Sequence, residues 1–580
     1  MALDKKQVAA KLKEMVVLLE LQDENRFKVR AYQNAARTLE TLSEDLGTLI
    51  AEGKLMEIRG IGSAMAEKIT SIYQTGSHPE YDKLRAGIPD GLLELLRIPG
   101  LGPRKVKLLW EKLDISTIGS LEYACQENRL LGLEGFGPRS QQKILDGIEM
   151  LRKFKDRHRL SDARLAAEEL QKTMSNFPGV IRCEIAGSLR RWRETVKDID
   201  ILASAAEKDA PAIMQKFVSL PAVETVSARG HTKSSVVLKS GIQADLRVVT
   251  DAQFPFALHH FTGSKEHNIA LRARAKNLDC KINEYGLFHG DELLACGNEE
   301  EIYQKLGLRF IPPELRENLG EIEAAEKGEL PHLVQAEDIQ GMLHVHSQYS
   351  DGVSSIPEMA DACRRGGYRY LLICDHSRSS FVAHGLTEER VAEQHREIDR
   401  LNAAADNSFR ILKGIECDIL PDGRLDFSDE ILATFDAVVA SIHSRFNMTE
   451  TQATDRIIKA MRNPYVTILG HPTGRLLLAR DGYPLNIPAI LRAAAELGVA
   501  IELNANPHRL DLDWRFCRQA REMGVKISIN PDAHRLQGLE DMRYGLGIAR
   551  KGWLRKEDVL NAGSLQDFRR FAAARRKEAK

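Results

Sequence analysis

The last third of this chain is punctuated by seven short apolar runs, each closing on a polar residue, with helical stretches between them: GMLHVHS, YLLICDHS, ILKGIECDI, AVVASIHS, VTILGHP, VAIELNAN and VKISINPDAH. Strand–helix repetition at this spacing implies an α/β barrel, and seven runs imply a distorted seven-stranded version of it. The polar ends fall at or near His344, His376, Glu416, His443, His471, Asn504 and Asp532. Active sites of such barrels lie where the strands end, so His344, His346, Asp351, His376, Glu416, His443, His471, Asp532 and His534 are expected to converge at one mouth. A single histidine after a strand is usually a packed or surface residue. Here nearly every strand ends in one, and imidazole with carboxylate is a donor set that suits Zn, Mn or Fe.

The rest of the 580 residues is long enough for further folding units. Apolar residues make up 43% and charged residues 28% of the chain, the balance of an ordinary globular protein. No apolar run is long enough to span a bilayer. The first residues mix acids with bases and lack the apolar block of a signal peptide, so cytoplasmic residence is expected. Eight cysteines are scattered without a CxxC pair, which reads as buried thiols in a reducing compartment. The formal net charge of −1 conceals segregation: residues 97–112 carry Arg97, Arg104, Lys105, Lys107 and Lys112 against Glu111 alone. Local patches, rather than the total, decide contact with phosphates.

In the first third one pattern occurs three times: IRGIGSAMAEKI, IPGLGPRKVKLLW and LEGFGPRSQQKIL. Each is an apolar residue, Gly-x-Gly and an amphipathic helical stretch. The glycine pairs (Gly60 and Gly62, Gly100 and Gly102, Gly135 and Gly137) permit a tight turn and close approach of another backbone. The helix that follows offers free N–H groups and the positive end of its dipole, which together bind phosphate. For one copy a packing role is an equal alternative; three copies favour DNA. A dinucleotide-binding reading fails, because no copy has the third glycine or follows a clear strand. The pattern resembles the helix-hairpin-helix motif, which grips DNA backbone without reading bases.

In the middle third, residues 181–202 read IRCEIAGSLRRWRETVKDIDIL. Alternation along a strand puts Asp198 and Asp200 on one face, about 6.6–6.8 Å apart along the chain. Carboxylates so close repel each other unless a cation lies between them. Asp245, in the otherwise apolar run VVLKSGIQADLRVVT, supplies a third acid from a neighbouring strand. Gly-Ser, a basic cluster, Asp-x-Asp and a later strand Asp resemble the nucleotidyltransferase superfamily, in which Ser188 and Arg191 match residues that grip a triphosphate. The segment ALHHFTGSKEHNIALRARAKNLDCKINEYGLF closely resembles the thumb of family X DNA polymerases. That resemblance puts His260, Phe261 and Gly263 beside the incoming sugar, Asn268 at the minor-groove edge of the nucleotide and Arg272 on the template side. Two departures stand out: His260 where the family often has Tyr, and Gln243 where some relatives have a basic residue. Upstream, FKVRAYQNAARTLETL reads as an amphipathic helix. The family resemblance aligns Lys28 and Tyr32 with 5′-phosphate contacts and Lys68 with a Schiff-base nucleophile, although Ala64 replaces a lysine found in some relatives. A solvated helix lysine is an equal reading of Lys68.

The barrel ligands resemble the polymerase-and-histidinol-phosphatase (PHP) set of HxH, DH, E, H, HP and DxH elements, with all nine positions filled. Arg475, in GHPTGR, reads either as a phosphate clamp or as a surface arginine. Nearly the whole chain resembles bacterial family X DNA polymerases with a C-terminal PHP domain. The resemblance implies a multidomain α+β and α/β protein. Its expected parts are a lyase-like helical domain (1–80), a fingers-like helix-hairpin-helix region (81–155), a nucleotidyltransferase palm (156–250), a thumb (251–316), a linker (317–339) and the barrel (340–580). It also implies a monomer acting on gapped or nicked DNA with dNTPs. Mg2+ or Mn2+ belongs in the palm, and three ions of Mn2+, Zn2+ or Fe in the barrel. The implied activities are gap filling and Mn-dependent 3′–5′ exonuclease, joined in some relatives by cutting at abasic sites and removal of 3′-phosphates. Two other classes stay open: a small-molecule phosphatase with a vestigial polymerase half, and a non-catalytic DNA-binding scaffold.

Overall fold

The computed structural model describes all residues except 1–4, 43–45, 59–60, 99, 153–156, 407 and 579–580. They form two compact units, Met1–Gln126 with Leu130–Ile148, and Glu127–Arg129 with Glu149–Lys580. The first unit is helical. The amphipathic helix expected near residue 27 runs Arg26–Thr41, and the Asn25 side chain caps it by accepting from Phe27 N at 2.9 Å. Its buried face, Val29, Tyr32, Ala35, Ala36 and Leu39, follows the 3.6-residue period and packs on the helix Lys5–Leu21. The described residues of the three Gly-x-Gly segments make the same turn bond. Ile61 N bonds Ile58 O at 3.0 Å, Leu101 N bonds Ile98 O at 3.1 Å, and Phe136 N bonds Leu133 O at 3.1 Å. A helix starts directly after each: Ser63–Thr75, Pro103–Leu113 and Pro138–Arg152.

The second unit contains, after the helix Leu160–Ser175, a five-stranded sheet: β1 (Val180–Ile185), β2 (Asp198–Ala205), β3 (Val223–Arg229), β4 (Lys233–Leu238) and β5 (Gln243–Val249), in the order β1-β2-β5-β4-β3. Only the β2–β5 pair is parallel, and its register sets Asp200 opposite Asp245 and Asp198 opposite Gln243. The acids that alternation placed on one face of β2 therefore meet the third one across a single ladder. Helices Phe254–Thr262 and Lys265–Asn277 follow, then a small three-stranded sheet and the helix Glu299–Lys305, around a core of Phe256, Leu271, Tyr303 and Leu315. The acidic stretch expected as a linker is structured. It carries the helix Glu321–Lys327, and fully buried Glu321 bonds His267 Nδ1 at 2.6 Å. A carboxylate with a buried imidazole partner packs inward, so this stretch is part of the folded unit.

All seven apolar runs are strands: β6 (Gly341–Val345), β7 (Tyr370–Ile373), β8 (Arg410–Asp418), β9 (Ala437–Ser441), β10 (Val466–Leu469), β11 (Ala500–Asn504) and β12 (Ile527–Asn530). They are parallel and stand in sequence order. His346 N bonds Ala533 O at 2.9 Å, just beyond β6 and β12, so the barrel is nearly closed. One continuous apolar cluster runs from the palm (Ile201, Phe217, Leu246) into the barrel (Ile415, Val438, Ile501). No described helix is long and apolar enough to cross a membrane.

Candidate functional site

At the palm, the chain leaves β1 through Gly187, whose φ of +63° is open to glycine and rarely to other residues. A Cβ there would lie 2.1 Å from Asp200 Oδ2, so the turn crosses directly over the carboxylate. Burial, followed by the charges of Asp198 and Asp245, pushes the Asp200 carboxyl up to about 6. Burial also raises Asp245, but hydrogen bonds from Lys233 and Ser235 outweigh it and hold this carboxyl below its usual value; Lys233 Nζ lies 2.6 Å from Asp245 Oδ2. Three hard oxygen donors that repel one another fit a divalent cation such as Mg2+ or Mn2+.

The expected nucleotide contacts gather around this edge unevenly. Ser188 lies in the short helix Gly187–Arg190, half-buried. The Arg191 guanidinium donates to Thr262 O and, at 3.1 Å, to Glu317 Oε1. It lies 3.0 Å from where a Cβ on Gly263 would stand, so Arg191 and Gly263 share one corner. Asn268 Nδ2 bonds His260 O at 2.8 Å, while its Oδ1 has no partner among the described residues. His260 Nδ1 is 3.8 Å from Glu284, and Arg272 is exposed. Phe261 lies under the Arg247 guanidinium, 4.2 Å from ring centroid to Cζ, and both line a cavity of about 430 Å3 with Thr232, Glu284 and Tyr285. Sequence reasoning missed Arg247. Its signal was alternation: it stands two residues beyond Asp245 on the same strand face.

In the barrel the nine expected ligands converge. Three overlapping groups each bring their donor atoms within 4.8 Å of one another: His346, Asp351, His376 and His534; His344, His346 and Glu416; His376, Glu416 and His443. The other two border them, with His471 Nε2 2.9 Å from Glu416 Oε1 and Asp532 Oδ1 3.2 Å from His346 Nε2. Glu416 is the hub, with His443 Nε2 at 3.1 Å and His376 Nδ1 at 2.9 Å. Against the cost of burial, the charges of His443, His344 and His376 keep its carboxyl far below the carboxylate range. Burial, with the neighbouring His534 and His376, brings His346 down to about 3, which leaves the neutral imidazole that ligation requires. Among the described residues, His344 Nε2 and both His346 nitrogens are buried without a hydrogen-bond partner, a cost that a bound cation would remove. His344 and Asp532 have φ of +55° and +53°, and such strain is concentrated at functional sites. Buried His/Asp/Glu groups of this kind are consistent with a multinuclear metal site.

A supporting layer went unrecognised in the sequence. His344 Nδ1 donates to Glu502 Oε1 at 2.6 Å, which turns Nε2 toward the cluster. His443 Nδ1 donates to Asp418 in the same way. Asp375 ties the loop after β6 to that after β7, accepting from Ser347 N at 2.8 Å and Gln394 Nε2 at 2.6 Å. A carboxylate inside an apolar run was the available signal. Arg475 is not the surface arginine of one of its readings: it is largely buried and donates to Asp513 at 2.7 Å, Glu194 at 3.0 Å and Arg509 O at 3.0 Å.

In the first unit, Lys28, Tyr32 and Lys68 do meet, around a residue the sequence did not mark. Lys28 Nζ lies 3.0 Å and Lys68 Nζ 2.5 Å from Glu80, and Tyr32 OH donates to Glu80 Oε2 at 2.7 Å. Against burial, hydrogen bonds from Lys68, Tyr32 and Lys28 draw the Glu80 carboxyl down to about 2. Among the described residues, nothing lies within 4 Å of a Cβ added at Gly62, Gly100, Gly102, Gly135 or Gly137. Gly60 lies outside the described residues.

Comparison with known proteins covers most of the chain. The profile of the DNA polymerase beta thumb matches residues 257–317, those of a helix-hairpin-helix domain and a SAM-like helix-hairpin-helix tandem match 4–78 and 92–150, and that of the PHP domain matches 342–506. The DNA polymerase/3′-5′ exonuclease PolX of Bacillus subtilis is 42% identical over 572 residues, covering 98% of this chain and 99% of that protein. A probable phosphatase of Syntrophotalea carbinolica is 32% identical over 168 residues, 28% of this chain and 64% of its own. The repair DNA polymerase X of African swine fever virus is 32% identical over 140 residues, 22% of this chain and 78% of its own. The chain belongs to the bacterial PolX family, DNA polymerase/3′-5′ exonucleases with helix-hairpin-helix domains, a polymerase-beta thumb and a C-terminal PHP domain.

Proposed function

We propose that this protein is a cytoplasmic, monomeric repair enzyme that fills short gaps in DNA from dNTPs and trims 3′ ends with its barrel. What carries the reading is the presence, in one chain, of two separate acid clusters that need cations: Asp198, Asp200 and Asp245 on the palm, and the Glu416-centred set in the barrel. On the palm, Asp198 and Asp200 would hold two Mg2+ or Mn2+ ions, and Asp245 one of them. Ser188 and Arg191 grip the triphosphate; Arg191 Nε and Nη1 are already engaged, and its planar fork suits phosphate oxygens. His260, Phe261 and Gly263 bound the sugar, Asn268 the minor-groove edge and Arg272 the template. The hairpin turns at Gly62, Gly102 and Gly137, with Gly100 and Gly135, present helix N-termini to the DNA backbone.

In the barrel, His344, His346, Asp351, His376, Glu416, His443, His471, Asp532 and His534 would hold three ions of Mn2+, Zn2+ or Fe. When bound in either site, such ions polarise a phosphoryl group and stabilise the charge that develops on it. Glu502 and Asp418 fix the tautomers of His344 and His443 by accepting their Nδ1 protons. The same chemistry extends to abasic-site cutting and 3′-phosphate removal, and leaves a clean 3′-hydroxyl for the palm to extend. Lys28, Tyr32 and Lys68 are assigned to a 5′-phosphate; a nucleophilic Lys68 amine requires Glu80 to leave first.

The test is a division of labour on gapped DNA. Asp200→Ala abolishes nucleotide insertion and keeps the Mn-dependent exonuclease, and His344→Ala or His346→Ala does the reverse. Loss of both activities in either variant refutes the assignment. The likeness of part of this chain to a probable phosphatase favours one other reading, a small-molecule phosphatase. Turnover of histidinol phosphate in preference to DNA ends would establish it.

A further inference from the structure

The corner of the palm that holds Arg191 is built partly from the barrel. The helix Met542–Lys551, next after β12 and a short 3-10 turn, ends on a lysine whose side chain is fully buried. An ammonium has three N–H donors, and Lys551 Nζ has three acceptors, all outside the barrel: Arg191 O at 2.9 Å, Glu314 O at 3.3 Å and Glu317 Oε1 at 2.6 Å. The same Glu317 Oε1 accepts Arg191 Nε at 3.1 Å, and Glu317 Oε2 lies 3.5 Å from Arg193 Nη1. One turn back on the helix, a Cβ on Gly547 would lie 2.1 Å from Trp192 Cε3, so the residue after Arg191 rests on bare helix backbone.

We propose that Lys551 is a positioning residue of the polymerase reaction: the barrel holds Arg191 at its backbone carbonyl directly and at its guanidinium through Glu317, and so shapes the triphosphate grip of the palm. Simple adhesion between palm and barrel does not call for a buried ammonium, since apolar side chains of similar volume fill such places as well or better. The charge has a specific use here. Glu317 stands among Arg191, Arg193 and Lys551, and without the lysine its carboxylate answers to the two arginines alone. The Arg191 carbonyl then also loses its donor. Both changes move the guanidinium, whose Nη1 also donates to Thr262 O beside Gly263 of the thumb.

The inference rests on the assignment of Arg191 to the triphosphate, and three variants of the full-length protein separate the two. Gap-filling kinetics are measured against dNTP concentration, with Mn-dependent exonuclease measured on the same preparations. Lys551→Met is expected to raise the KM for dNTP tenfold or more, with kcat within threefold and exonuclease within twofold of the parent. Glu317→Gln, which leaves the barrel helix intact, is expected to raise KM in the same direction, and it decides the matter if Lys551→Met lowers exonuclease too. Parental KM in Glu317→Gln, or in a Lys551→Met protein that keeps its exonuclease, overturns the inference. Arg191→Ala tests the underlying assignment: a parental KM there overturns the triphosphate role itself, whereas a raised KM there with parental Lys551→Met kinetics sinks only the role of the lysine.

Discussion

Replacing Glu502 by Gln tests how much of the barrel site depends on a residue outside the nine expected ligands. Glu502 is fully buried and takes four donors: His344 Nδ1 at 2.6 Å and Asn530 Nδ2 at 2.7 Å on Oε1, His471 N at 2.6 Å and Asn504 Nδ2 at 3.1 Å on Oε2. An amide keeps the shape but turns one acceptor into a donor, so two of the four donors face an NH2 group in either orientation. Each buried donor left unpaired costs about 1–3 kcal/mol, or about 2–6 kcal/mol for the two. Part of that falls on the barrel with or without metal. The remainder falls on ligation, because the carboxylate that accepts from His344 Nδ1 becomes a neutral amide, which accepts more weakly or, turned over, does not accept at all. Losses of this kind typically amount to about 10–100-fold in metal affinity or activity, or about 1.4–2.8 kcal/mol, which meets only the lower end of the range worked from the hydrogen bonds, in line with a share that falls on the barrel alone. The expected outcome is a fall of about 10–100-fold in exonuclease at limiting Mn2+, partly restored at high Mn2+, with gap filling unchanged. The assay is degradation of a labelled 3′ end across a manganese titration. An exonuclease at parental level under limiting Mn2+ would show that Glu502 does not orient His344.

Three further outcomes follow from particular contacts. Gly187→Ala puts a methyl 2.1 Å from Asp200 Oδ2 at a φ of +63°, so primer extension should fall by orders of magnitude while exonuclease persists. In EDTA the Asp200 carboxyl is raised to about 6 from an ordinary value of 3.8. The folded state then holds a proton that the unfolded chain has released, and melting should show stability lost as pH rises from about 4 to about 6, by about 3 kcal/mol at most for this shift. Mg2+ or Asp200→Asn should flatten that dependence. Glu80→Gln removes the carboxylate that Lys28, Tyr32 and Lys68 now share, and should tighten binding of a gap with a 5′-phosphate several-fold over one with a 5′-hydroxyl. Equal binding of the two gaps by the variant refutes a 5′-phosphate site there.

What could be read along the chain was whatever depends on residue type and short spacing. The seven apolar runs announced seven parallel strands, and histidines at their ends announced a shared mouth, because strand periodicity and ligand chemistry are local properties. Asp198 and Asp200 were legible for the same reason: two residues along a strand return to one face. Function at these sites also depends on partners that spacing does not encode. Glu502 meets His344 across 158 positions, and Lys551 reaches the Arg191 carbonyl across 360. Arg475 donates to Glu194, 281 positions away. A side chain's chemistry belongs to its own residue. Which buried donor or acceptor it must satisfy is decided only when folding excludes water and leaves it the neighbours that packing supplies.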